Sequence, residues 1–91
     1  MRWEIELGES DEQDRLEAHL SQRGISADDI WSAAADCIPR RKGSRIYLFG
    51  RADTREPIVV VLARTRNQWR PRTAWVMDER ERRWWRSHGG R

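Results

Sequence analysis

Tyr47 stands between Arg45 and Arg51 in a stretch that alternates as Arg45, Tyr47, Phe49, Arg51 against Ile46, Leu48, Gly50, so in an extended chain all three side chains share one face. An aromatic ring flanked by guanidinium groups can stack a nucleic-acid base and hold the phosphates beside it. Arg64 and Arg66 share a face at the end of a valine-rich run, where burial of a charge would be costly. Arg70 and Arg72 repeat that arrangement a few residues later, with Trp69 beside them. Groups able to carry a proton near neutrality are scarcer: His19, His88, a few carboxylates, Lys42 and Tyr47. One cysteine and two distant histidines, without HExxH or CxxC spacing, offer no metal set, and no glycine-rich phosphate loop or other cofactor motif is present. The chemistry within reach is therefore phosphate and base binding, with metal-independent proton transfer at most.

The elements that must position these residues belong to one small domain. At 91 residues, with 37% apolar and 36% charged side chains, most of the chain has to be two-faced. Its one unbroken apolar run, PIVVVLA at 57–63, cannot point three consecutive valines the same way. As a strand it buries both faces and forms the centre of the fold. The charge is split: residues 1–37 hold ten Asp/Glu against three Lys/Arg, and residues 38–91 hold five against fifteen, giving −7 and +10. That split fits either two solvated faces that attract each other or a phosphate- or acid-binding surface made by the second half.

Alternation predicts a strand over Trp3, Ile5 and Leu7 that ends at Gly8. Ser10 heads a capping box for a helix over 11–23, closed by Gly24 as a left-handed cap, and Ser26 caps a second helix over 27–36 that Pro39 stops. Arg40-Arg41-Lys42-Gly43 reads as a basic turn. Strands follow at 45–51, 58–65 and 69–77, the last placing Arg70, Arg72, Ala74 and Val76 on one face and Trp69, Thr73, Trp75 and Met77 on the other. Pro71 requires an edge position or a bulge. Asp78 and Glu81 form a capping box for a third helix that reaches about residue 88, with 89–91 as a flexible tail beyond a single domain over 1–88. His19 reads as a surface residue, His88 as solvated tail, Glu79 and Glu81 as capping acids, Trp84 and Trp85 as packing residues and Cys37 as a small buried hydrophobe. The predicted class is α+β in the order β-α-α-β-β-β-α, an antiparallel meander packed by two N-terminal helices and a C-terminal one. A lone cysteine and the lack of a signal-peptide pattern or an apolar span predict a cytoplasmic protein with no membrane association.

The ordered set QRGIS at 22–26 with acids at 28 and 29, YLFGR at 47–51, VVV at 59–61 and TAWVMDERERRW at 73–84 resembles BrnT-like toxins, of the RelE-like group of small ribonucleases in type II toxin-antitoxin pairs. The resemblance covers nearly the whole chain and implies a RelE-like fold. It also implies metal-independent RNA cleavage by attack of the ribose 2′-hydroxyl, a cognate antitoxin as partner, and RNA, ribosome-associated or free, as substrate. On this reading Arg45, Tyr47, Arg70 and Arg80 carry cleavage, while Arg51, Arg64, Arg66, Arg72 and Trp69 bind RNA. The chain departs from the family pattern twice: Arg23-Gly24-Ile25 replaces His-Gly-Val, and Trp75 follows Ala74 where an arginine is usual. The alternative is a non-catalytic RNA- or protein-binding module on the same fold.

Overall fold

The computed structural model of the protein describes residues 10–65 and 68–91, with side chains at 14–64 and 68–91. Two helices, α1 (Ser10–Ser21) and α2 (Ala27–Ala35), precede four strands, β1 (Cys37–Lys42), β2 (Arg45–Arg51), β3 (Pro57–Thr65) and β4 (Gln68–Val76), and α3 (Glu79–Ser87) closes the chain. The strands form one antiparallel meander in the order β1-β2-β3-β4. This is a small α+β domain, helices first, sheet next, helix last. The strand expected at Trp3 to Leu7 and the capping side chain of Ser10 lie outside the described residues.

Local chemistry sets the helix ends. At the end of α1, Ile25 N–H donates to Leu20 C=O at 3.0 Å and Gly24 N–H to Ser21 C=O at 3.0 Å, with Gly24 at φ +71. This is a Schellman closure, and its apolar pair, Leu20 and Ile25, enters the core. Ser26 caps α2 through Asp29, and Asp78 caps α3 through Glu81, each as a reciprocal box.

β3 buries both faces, as its run of valines requires. Ile58, Val60 and Leu62 pack with Leu20, Ile30, Ala33, Leu48 and Ala74 beneath α1 and α2. Val59 packs with Phe49, Met77 and Trp85 beneath α3. Each such side chain contributes roughly 1.5–3 kcal/mol of transfer free energy when fully buried, so the sheet is a shared wall between two half-cores. Helix α2 lies so close over β2 that a Cβ on Gly50 would sit 2.7 Å from the Ala33 carbonyl oxygen. Gly50→Ala should therefore cost about 1–3 kcal/mol, read as a lower urea midpoint with an unchanged slope. An unchanged midpoint would show that α2 can shift to make room.

Two expectations need correction. Residues 40–42 are strand, not turn: Arg40, Arg41 and Lys42 pair with Tyr47, Ile46 and Arg45, and the turn is confined to Gly43 and Ser44. Pro39 is tolerated because β1 is the outermost strand of the described sheet. In β4 the register slips between Val61, opposite Thr73, and Leu62, opposite Pro71, leaving Arg72 as an extra residue. The bulge is one of the two placements that Pro71 allowed, and β4 is also an end strand of the described sheet. It also breaks the predicted alternation, so Trp69 joins Ala74 on the α1/α2 side while Trp75 and Met77 pack on the α3 side.

Candidate nucleic-acid interface

Directly paired residues in an antiparallel sheet share a face, so the register reads out the α3-side surface row by row. Ile38, Phe49, Val59 and Trp75 form an apolar row partly under α3. Next come Arg40, Tyr47, Val61 and Thr73, and then Lys42, Arg45, Ala63 and Arg70. The face thus grades from apolar to cationic toward the β1–β2 turn, with Tyr47 at the boundary. Arg45 and Arg70 lie on either side of the small Ala63, two strand spacings or roughly 10 Å apart.

Helix α3 turns this surface into a groove of about 610 Å³, whose walls include Arg40, Lys42, Tyr47, Trp75, Arg80 and Trp84. The half-buried aromatic side chains are held by one another. Tyr47 meets Trp75 edge-on at 6.4 Å and 67°, and Trp84 lies 4.6 Å from Phe49. The Arg40 guanidinium sits 4.9 Å above the Trp84 ring. Arg40, Lys42, Arg45 and Arg80 are exposed, and among the described residues none of them is in an ion pair. Two ion pairs elsewhere, Arg82 with Glu56 and Arg83 with Glu79, are solvent-exposed and of small energetic weight.

Among the described residues Glu81 is the one carboxylate in the groove wall, and it is engaged. Its two oxygens accept from Trp75 Nε1–H at 3.1 and 3.0 Å, and Oε1 also accepts Asp78 N–H at 3.0 Å. The capping acid of α3 therefore also fixes the Trp75 indole. His88, read from sequence as tail, stacks on Trp84 at 4.2 Å and 23°. Its Nδ1 lies 2.7 Å from the Trp84 carbonyl oxygen. A histidine four residues after an aromatic on a helix was the available signal for this contact.

The predicted site residues divide into separate groups. Arg45, Tyr47 and Arg70 share the α3-side face; Arg80 joins Tyr47 in the groove wall from α3, while Arg45 and Arg70 stand one row beyond it. Arg51 is on that face but at its far end, where its guanidinium lies 4.9 Å over Trp85 and donates to the backbone oxygens of Arg91 and Arg55. Arg64 and Trp69 are together on the opposite face, with the Arg64 guanidinium 5.8 Å from the Trp69 ring. Arg72 is the exposed bulge residue, and Arg66 lies outside the described residues. Sequence reading missed Arg40, whose placement depends on the unforeseen β1.

His19 is 2.9 Å from the Thr73 hydroxyl, tying α1 to β4. Gly89–Gly90 closes α3, with Gly90 N–H donating to Trp85 C=O at 2.8 Å and its Cα against the Trp85 ring. Among the described residues no group of three or more His, Cys, Asp or Glu could hold a metal ion, and no helix is long and apolar enough to cross a membrane.

Fold and groove together define a small basic α+β domain with an aromatic, cation-rimmed cleft on one sheet face. No protein-family model, curated protein or solved structure matches the chain.

Proposed function

We propose that the groove binds single-stranded RNA and that the protein is a metal-independent endoribonuclease of the BrnT-like kind, the toxin of a type II toxin-antitoxin pair restrained by a cognate antitoxin. The observation that carries this reading is the convergence of Arg40, Lys42 and Arg80 around Tyr47, Trp75 and Trp84 in one cleft. Aromatic faces stack bases of any sequence, and exposed cations compensate the phosphates. For cleavage, the ribose 2′-hydroxyl attacks the adjacent phosphorus and loses its proton, while the 5′-oxygen of the next nucleotide leaves and gains one. Tyr47 is the candidate proton carrier at the centre of the cleft. The guanidinium groups of Arg45, Arg70 and Arg80 and the Lys42 ammonium stabilise the charge that grows on the phosphoryl oxygens.

Purified protein should cut single-stranded RNA in EDTA and leave products with 2′,3′-cyclic phosphate ends. Binding of the same RNA should weaken steeply with salt, by a slope of about −0.7 in log K per log salt for each phosphate contacted. RNA left intact at saturating protein would sink the nuclease assignment, and salt-insensitive binding would sink the groove.

One observation favours a second reading. The Glu81 carboxylate is held by Trp75, which on the BrnT-like reading replaces a usual arginine. On that reading the cleft is a binding module without cleavage. Trp75→Arg discriminates: gain of cutting identifies a degenerate nuclease, while binding without cutting in both proteins supports the module.

A further inference from the structure

We propose that Trp69, between Arg41 and Arg64, is a second subsite for the same single-stranded RNA on the opposite face of the sheet. This rests on the RNA-binding reading of the groove. The Arg41 and Arg64 guanidinium carbons lie 5.9 and 5.8 Å from the Trp69 ring centroid. Both distances are near the roughly 6 Å limit for such contacts and looser than the 4.9 Å between Arg40 and Trp84. Trp69 is half-buried against the α1/α2-side core, so its ring is held by packing, whereas both arginines are exposed and in no ion pair among the described residues.

The two aromatic sites are connected. Arg40 and Arg41 are consecutive on β1 and project to opposite faces, one reaching Trp84 in the groove and the other Trp69. Lys42 and Arg45 flank the turn between them and the sheet end. From 37 to 52 the sequence has five Lys/Arg and no Asp/Glu. A strand leaving the Tyr47 cleft can therefore pass over the outer edge of β1 along uninterrupted positive charge. The phosphates would meet Arg40, Arg41 and Lys42, and a base would stack at Trp69.

A short oligonucleotide fills only the groove, while a longer one reaches both sites, so length separates them. Fluorescence anisotropy with oligouridylates of about four and about twelve nucleotides, inside the range of site sizes for single-strand grooves, supplies the test. Trp69→Ala should weaken the longer RNA about tenfold and the shorter less than twofold, the size of one lost stacking contact. Trp69→Phe should retain most of the affinity, and Arg64→Ala should lower the salt slope for the longer RNA alone by about 0.7. Equal losses at both lengths, or none at either, would overturn the second subsite. Wild-type protein that binds neither oligonucleotide would overturn the groove reading itself. Wild-type protein that binds both with the same affinity would remove the subsite and leave the groove.

Discussion

Tyr47→Phe is expected to lower the rate of RNA cleavage by about 10²- to 10⁴-fold while changing RNA affinity less than threefold. The ring would keep its contact with Trp75 and its place between Arg40 and Val61, since only the hydroxyl is removed. A group that merely stacks a base would show the reverse: Tyr47→Ala would weaken binding and Tyr47→Phe would do nothing. Single-turnover cleavage at saturating protein separates the two, because it reads the chemical step without binding. His88→Ala is the control. It removes an exposed imidazole stacked on Trp84, and cleavage should change less than threefold. If His88→Ala abolishes cutting and Tyr47→Phe does not, the proton carrier is the imidazole, and the cleft's reactive end lies beside Trp84.

The largest effect on stability is expected at Asp29. The residue is 5% exposed, and its carboxylate accepts from Ser26 N–H at 2.8 Å, Ser26 Oγ–H at 3.1 Å and Asp53 N–H at 2.9 Å. One side chain thus caps α2 and pins the loop between β2 and β3. Asp29→Ala leaves the Asp53 donor without its carboxylate and removes half of the capping box. The cost should be roughly 2–4 kcal/mol, combining a lost cap with a lost charge-assisted bond. Urea unfolding measures it, and a loss below about 0.5 kcal/mol would mean that water replaces all three contacts. RNA binding at low temperature should survive, because Asp53 sits at the end of the sheet opposite the cationic row.

What could be read from the sequence follows from the range of the interactions involved. The Ser26 and Asp78 caps, the Gly24 closure and the two-faced β3 depend on residues within a few positions of each other, and all are present. The strand at 37–42 does not. Proline followed by three cations reads as a turn, and only pairing with β2 makes it extended. Tyr47 with Arg45 was legible as a shared face because both lie on one strand. Arg40 was not, since it reaches Tyr47 only across a strand boundary. Pro71 pointed to an edge position or a bulge, but not to Arg72 as the extra residue, and this choice decides which face receives Trp69. The resemblance to BrnT-like toxins rests on short motifs in order.

The outer strand of the described sheet, CIPRRK, has a further consequence for how the protein behaves in solution. A sheet edge invites pairing with another chain, and lysine, arginine and proline on that edge are the usual deterrents. Arg40, Arg41 and Lys42, the proposed phosphate contacts, thus also disfavour pairing of two copies along β1. Neutralising all three to abolish RNA binding would strip this protection and yield aggregates that imitate a loss of function. Charge removal should be made one position at a time, with light scattering recorded beside every binding curve.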